Sequence, residues 1–305
     1  MTNKPESHTR RYVIGSASFE ADSLAPGLYI VATPIGNLGD ITIRALATMA
    51  AADAILCEDT RTTAKLLARF GMRVPLAPYH EHNAAKVRPG ILARLRDGAR
   101  IALVSDAGMP LVSDPGYRLV REAVDEGIAV TACPGPSSVL AGLALSGLPT
   151  DRFAFFGFVP QKAGDRRHLF AEMEGLRATL ILFESPHRIA GTLAEIAAAF
   201  PGCEVAVARE LTKIHEEVLR GSAADVAARL AERPAVKGEI TLLIGPPPDT
   251  PPAPEQAEVV AAIRDALEAM SASNAAAEIS RRFGLAKKQV YAQILAMKDA
   301  GDGSP

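Results

Sequence analysis

The sequence predicts an α/β protein: two α/β domains followed by a small helical module at the C-terminal end. Three observations carry this. From Gly27 to Ser146, short apolar runs alternate with helical stretches, the pattern of βαβ units with right-handed crossovers and a parallel sheet. A second set of apolar runs begins near Asp151, and two of its members follow one another without a helix between them, which makes that sheet mixed. Residues 245–256, GPPPDTPPAPEQ, hold six prolines and read as a stiff extended linker. The expected division is a flexible N-terminal tail (1–26), a parallel-sheet domain (27–148), a mixed-sheet domain (149–245), the proline-rich linker (246–256) and a helix-turn-helix-like module (257–298).

The first domain opens with strand 28–32, LYIVA, followed by the turn TPIGNLGD. Asp40 is the expected N-cap of a helix whose apolar positions include Ile43, Leu46, Ala47 and Ala50. Strand 54–57 precedes a helix bearing Leu66, Leu67 and Phe70, which Gly71 stops. A weak strand at 76–79 ends in HEHN, and a helix follows over 87–97, ended by Gly98. Strand 101–104 leads into SDAGMP and then a second turn cluster, Ser113-Asp114-Pro115-Gly116, which introduces a helix. The fifth strand is expected at 128–131, before PGPSS and a helix of small residues reaching Ser146.

In the second domain, strands are expected at 153–159, 178–183, 204–208, 218–221 and 239–244. Beyond the linker, 259–270 is amphipathic, and 274–283, Gly284 and 286–297 make a helix–turn–helix pattern. Five cations there (Arg281, Arg282, Lys287, Lys288, Lys298) face one acid, Glu278. A nucleic-acid contact and a subunit contact both fit that surface.

Composition narrows the function classes. The chain has 305 residues, 48% of them hydrophobic and 22% charged, enough to bury a sizeable core. Net charge is −2, so a nucleic-acid contact has to come from a local basic patch. Aromatic residues are 5% of the chain and Trp is absent, which excludes broad stacking platforms. Cys57, Cys133 and Cys203 lie far apart with no CxxC pair, so neither a zinc site nor a disulfide framework is expected. The N-terminal segment lacks an apolar stretch of signal-peptide kind, and no apolar run approaches the ~20 residues of a membrane span. A cytoplasmic protein is expected.

Chemistry is expected outside the carboxyl ends of the strands, where open α/β sheets bind ligands. The loop Ser105-Asp106-Ala107-Gly108-Met109 is built of small residues that let a ligand approach the backbone. Glu58-Asp59-Thr60-Arg61 either orients a ribose or phosphate, with Arg61 as a bidentate clamp, or places carboxylates at a helix N-terminus. His80 and His82, alternating on a strand end, lack a third ligand and suit hydrogen bonding to a substrate better than a metal. No GxGxxG, GxxxxGK[ST] or GxSxG occurs, which removes dinucleotide, nucleoside-triphosphate and esterase readings. ARELTK places two cations and a carboxylate after an apolar strand, either an ordinary surface turn or a charged group beside a reacting hydroxyl.

In order along the chain, TPIGNLGDIT (33–42), EDTR (58–61), HEHN (80–83), SDAGMPLVSDPG (105–116), PGPSS (134–138), GFVP (157–160), ESPHR (184–188) and ARELTK (208–213) resemble the ribosomal RNA small-subunit methyltransferase I family. That family lies among the tetrapyrrole-methylase-like, class III S-adenosylmethionine-dependent enzymes, and the resemblance spans about residues 27 to 245. It implies two α/β domains of tetrapyrrole-methylase type with S-adenosyl-L-methionine in the cleft between them, and a homodimer. It also implies 2′-O-methylation of a decoding-centre cytidine in 16S rRNA, on the small ribosomal subunit. The implied cofactor-binding residues are Pro34, Ser105, Asp106, Ala107, Gly108 and Met109 from the first sheet, then Pro136, Ser137 and Ser138. The second domain adds Phe183, Glu184, Ala208, Arg209, Gly238, Glu239 and Ile240. Chemistry, rather than the resemblance, nominates Lys213, Glu58 and Arg61 as catalytic, for positioning, phosphate clamping or handling the hydroxyl proton. Two alternatives share the fold or the charge pattern: a methyltransferase acting on a small tetrapyrrole precursor, and a non-catalytic RNA-binding assembly factor.

Overall fold

The computed structural model describes residues 10–112, 116–248 and 256–301. The expected turn Ser113-Asp114-Pro115 and linker residues 249–255 lie outside them.

The segment before Gly27 departs first from expectation. Where a flexible tail is predicted, β1 (Arg11–Ile14) and β2 (Ala17–Glu20) form an antiparallel hairpin. Gly15, at φ +62°, makes its turn. Tyr12 is buried and stacks on Phe19 at 5.4 Å, and the Val13 N–H donates to the Phe70 carbonyl at 2.8 Å. Four-residue strands are short, and only this packing distinguishes them from an irregular polar segment.

The first sheet consists of β3 (Gly27–Val31), β4 (Ala54–Cys57), β5 (Leu76–Pro78), β6 (Arg100–Val104) and β7 (Val130–Cys133). Its order is β5-β4-β6-β3-β7 and every pair is parallel. Side chains alternate between faces. Tyr29, Val31, Ile55, Cys57, Ala102 and Val104 pack against α1 (Ile43–Ala51) and α2 (Thr60–Arg69). Leu28, Ile30, Leu56, Ile101 and Leu103 pack against α3 (Glu81–Arg96) and α4 (Tyr117–Asp125). All three cysteines are buried and free.

Three local expectations are corrected. Thr42, not Asp40, caps α1, its hydroxyl accepting from the Ala45 N–H at 3.1 Å, while Asp40 closes a single 3-10 turn capped by Asn37. Helix α3 starts at Glu81, six residues early, so His80 and His82 sit at a helix start rather than alternating on a strand end. Asn83 fixes that start, accepting from the His80 N–H and donating to the Pro78 carbonyl, both at 2.9 Å. β7 begins two residues later than expected because its pairing with β3, Leu28 with Val130, sets the register.

The second sheet contains β8 (Phe153–Phe158), β9 (Thr179–Glu184), β10 (Glu204–Arg209), β11 (Glu217–Ser222) and β12 (Ile240–Ile244), in the order β11-β10-β12-β9-β8. Only β8 and β9 run parallel; the other pairs are antiparallel, so the sheet is mixed. One face, with Leu180, Leu182, Val205, Val207 and Leu242, is covered by α6 (Ala163–Met173), α7 (Ile189–Ala199) and α8 (Ala223–Ala231). The opposite face, with Ile181, Ala206, Ala208 and Leu243, is covered by α5 (Ser138–Ser146), the last helix of the preceding domain. Val139 and Leu143 of α5 sit in that shared core, which locks the two sheets together.

A half-buried ion cluster at the sheet edge ties β10 and β11 to the segment after α8. Arg233 donates to both Glu217 carboxylate oxygens at 2.6 Å, and Arg209 reaches one of them at 3.3 Å. The hydrogen bonds from Arg233, then those from Arg209, hold the Glu217 carboxyl at about 2. A carboxyl whose pKa is lowered by folding stabilises the fold above its unfolded value and loses that contribution as pH falls toward the folded one. Glu217→Gln is therefore expected to lose about 1–2 kcal/mol at neutral pH, allowing for partial exposure. Denaturant titrations should show the gap to the parent closing as pH falls from about 4.5 toward 2.

After the linker, α9 (Gln256–Ala269), α10 (Ala272–Phe283) and α11 (Lys287–Gly301) pack around Ile263, Ala275, Ile279, Val290 and Ile294. Gly284, in the left-handed conformation, turns α10 into α11. Arg281, Arg282, Lys287 and Lys288 are exposed along this turn.

Candidate active site

A cleft of about 440 Å³ opens between the carboxyl ends of the first sheet and the shared face of the second. Its size lies in the range of small-molecule sites. From the first domain its wall includes Asp106, Ala107, Gly108 and Met109 after β6, and Ser137 and Ser138 at the start of α5. From the second it includes Phe183 and Glu184, Ala208, and Gly238, Glu239 and Ile240.

The β6 loop is held as a rigid cradle. Thr33 and Gly108 exchange two backbone hydrogen bonds, at 2.9 and 3.0 Å, which stitch the end of β3 to the loop. The Thr33 hydroxyl donates to the Ser105 carbonyl and the Ser105 hydroxyl donates to the Gly108 carbonyl, each at 3.0 Å. Gly108 has φ +83°, and a Cβ there would lie 3.2 Å from Ile35 Cγ2. An apolar wall with exposed backbone suits a flat, partly apolar cofactor, and the cradle keeps free the space that a side chain would fill.

Glu184 lines the cleft yet is committed to structure. Its carboxylate accepts from the Ser185 N–H at 2.6 Å, from Thr192 at 2.6 Å and from Arg188 at 2.9 Å. Ser137 caps α5, so the positive end of that helix faces the cleft and favours a negatively charged group there.

Opposite, the loop after β10 carries an ionic triad. Lys213 Nζ lies 2.8 Å from Glu210 and 3.1 Å from Glu239. Burial opposes its charge, but the hydrogen bonds to these two carboxylates outweigh it and raise the Lys213 pKa, while Lys213 lowers that of Glu210. Lys213 therefore remains an ammonium at neutral pH. Of the two roles nominated for it, stabilising an oxyanion is the one that uses this charge. Glu210 and Thr212 both have positive φ, +51° and +64°. Such a conformation is rare for a β-branched residue, and strain of this kind clusters at functional sites. Hydrogen bonds retain it: the Thr212 hydroxyl accepts from the Asn37 N–H at 3.0 Å, and Glu210 accepts from the Glu239 N–H at 2.9 Å.

Lys213 is not itself on the wall, which it reaches through its partner Glu239, and other nominated residues likewise stand beside the cleft. Ser105, the first residue of the cradle, and Pro34 are buried off the wall, and Pro136 places its carbonyl near Gly108. Arg209 is turned to Glu217 and the Lys237 carbonyl. Arg61 is 86% exposed and pairs with Asp59, which caps α2 and is drawn down to about 2 by Arg61. Glu58 is exposed on the same loop. This loop still touches the cradle, because the Asp59 N–H donates to Asp106 at 3.1 Å. Sequence reading missed Ile35, Val112, Val139, Phe158, Ser185, Pro186, Leu211 and Thr241 on the wall. Most are apolar and carry no chemical signature; all but Val139 and Thr241 lie within the motifs quoted above, where the polar and small neighbours drew the assignment. Among the described residues, no three His, Cys, Asp or Glu side chains stand together as a metal site, and no helix is long and apolar enough to cross a membrane.

Comparison with known proteins follows the same division. Residues 27–227 match the tetrapyrrole (corrin/porphyrin) methylases, and 253–298 match the RsmI C-terminal HTH domain. A ribosomal RNA small subunit methyltransferase I of Erythrobacter litoralis is 50% identical, covering 91% of this chain and 98% of the relative. The protein of that name from Mesorhizobium japonicum is 46% identical, covering 95% of this chain and 100% of its own. Among solved structures, a diphthine synthase superposes with TM-score 0.57 at 15% identity, covering 72% of this chain and 89% of its own. A Thermus thermophilus uroporphyrin-III-C-methyltransferase gives 0.52 at 21%, covering 72% and 94%. These two likenesses show a shared fold.

Proposed function

The chain belongs to the ribosomal RNA small subunit methyltransferase I family, and from that premise we propose that its cleft binds S-adenosyl-L-methionine and directs the methyl group to a ribose 2′-hydroxyl of 16S rRNA. The observation that carries this reading is the cradle Ser105–Met109, locked open by Gly108 and facing the second domain across a cleft of cofactor size. The donor supplies an electrophilic methyl group when bound. The chain's own contribution is positional. The cradle and the α5 N-terminus fix the donor's orientation, the apolar wall excludes water, and Lys213 offers a fixed positive charge beside the acceptor oxygen. Orientation of this kind supplies much of the acceleration of an in-line displacement.

The finer assignments rest on the motif resemblance and belong to the same proposal: a decoding-centre cytidine as acceptor, the small ribosomal subunit as substrate, a homodimer as the working form and the cytoplasm as its location. The tetrapyrrole precursor is the weaker substrate reading, because the relatives near 50% identity carry the ribosomal RNA name. The assembly-factor reading predicts no methyl transfer.

One experiment tests these together. Cells lacking the gene are complemented with the full chain or with a chain ending at residue 248, and 2′-O-methylation is mapped on small-subunit RNA. The full chain should restore one missing methyl group. The shortened chain should restore it poorly and bind the RNA with a shallower salt dependence, since Arg281, Arg282, Lys287 and Lys288 release counterions on contact. An RNA methylation pattern that is complete without the protein overturns the substrate assignment; equal salt slopes overturn the role given to the helical module.

A further inference from the structure

The motif GFVP (157–160) has no role in the reading above, and its geometry gives it one. β8 and β9 pair with Ala154 opposite Leu180 and Phe155 opposite Ile181, but the next aligned pair is Phe158 with Phe183. Three steps along β8 thus match two along β9, so one extra residue is inserted. Gly157, at φ +71°, provides it. Without the insertion, Phe158 would fall on the face of Ala154 and Phe156, beneath the outer helices. The bulge turns it to the other face, with Phe155 and Phe183, where it joins the cleft wall.

The ring is not used for packing in that position. Phe158 is 65% exposed, and its contact with Phe183 is T-shaped at 5.3 Å, so most of the ring surface is uncovered. In a chain with 5% aromatic residues, a bulge that moves a phenyl ring from a core face to the mouth of a cleft marks a surface shaped for a planar partner. On the reading above the donor lies against Gly108 and Ile240, which are buried, so a ring as exposed as Phe158 meets what enters second. A ribose whose 2′-hydroxyl reaches the cleft brings its base to this rim. RNA bases splayed from their stack are held on aromatic faces of this kind.

We propose that Phe158 is an acceptor-binding residue, on which the base of the methylated nucleotide stacks. This rests on the RNA methyltransferase reading and deepens it, by naming the surface that holds the acceptor.

The test uses the full chain with small ribosomal subunits from cells lacking the gene, and measures donor affinity separately by calorimetry with S-adenosylhomocysteine. Phe158→Ala should raise the KM for subunits about tenfold or more, as loss of one base–aromatic stack does. Phe158→Trp should retain wild-type KM, Phe158→Leu should resemble Phe158→Ala, and affinity for S-adenosylhomocysteine and Tm should stay at wild-type values. An unchanged KM in Phe158→Ala, or a leucine as good as phenylalanine, overturns the stack. A parallel loss of S-adenosylhomocysteine affinity overturns it too, assigning the ring to the donor's adenine. A wild-type enzyme that methylates no subunit overturns the RNA reading itself, and the proposal with it.

Discussion

Gly108→Val should abolish donor binding, raising the dissociation constant at least about a hundredfold, in a chain that still folds. Two effects act together. Valine is among the residues least tolerant of φ +83°, and holding it there costs roughly 1–3 kcal/mol. Its Cβ would also lie 3.2 Å from Ile35 Cγ2, with two further methyl groups directed into the cradle. The loop can relieve this by shifting, but a shift breaks the paired hydrogen bonds between Thr33 and Gly108 that fix it to β3. The cores of both sheets lie below the loop and are untouched, so the far-ultraviolet spectrum should be unchanged and Tm only modestly lowered. Calorimetry with S-adenosylhomocysteine checks the first claim; an affinity within threefold of the parent would remove this loop from the donor site.

Gly36→Ala is expected to cost about a hundredfold in kcat/KM through a single methyl group remote from the reacting atoms. Gly36 is one of the points where the two domains touch. A Cβ there would lie 2.4 Å from Lys213 Cγ, 2.9 Å from the Thr212 hydroxyl and 3.0 Å from the Leu211 carbonyl. The last is backbone, so the strain cannot be removed by rotating a side chain. The loop 211–213 has to move away, taking with it the Asn37–Thr212 hydrogen bond and the Lys213 ammonium. A displacement near 1 Å of a positioning group suffices for a rate loss of this size. Donor affinity should fall far less than the rate, because the cradle lies on the other side of the cleft. Unchanged turnover in Gly36→Ala would show that this junction does not set the position of Lys213.

The strands and helices were legible because alternation and helical periodicity are local, and the register of both sheets follows the apolar residues that sequence reading placed in them. Misreadings occurred where pairing between strands or a specific side-chain cap decides. The hairpin before Gly27 has four-residue strands, which hold by packing against Phe70, Gly71 and α1. The start of α3 depends on Asn83 capping through Pro78, a contact between two residues that look like loop. At the site, the cradle and the α5 start were recognisable from small residues at strand ends. Phe158 was not, because a bulge is a matter of pairing between two strands and leaves no pattern within one. Nor could the sequence show that Arg61 and Arg209 are spoken for by Asp59 and Glu217, since an ion pair fixes where a charge points.

The sharing of α5 has a consequence for synthesis on the ribosome. The helix is complete at Ser146, yet the β12 face that receives Val139 and Leu143 ends at Ile244, about a hundred residues later. At roughly 5–20 residues per second, its apolar side waits some 5–20 seconds for its cover. The five strands of the first sheet, β3 to β7, can close around α1 to α4 in that interval, while α5 stays exposed as a sticky segment of the nascent chain. The cleft is therefore among the last features to form: its wall is complete only when the final strand of the second sheet has left the exit tunnel.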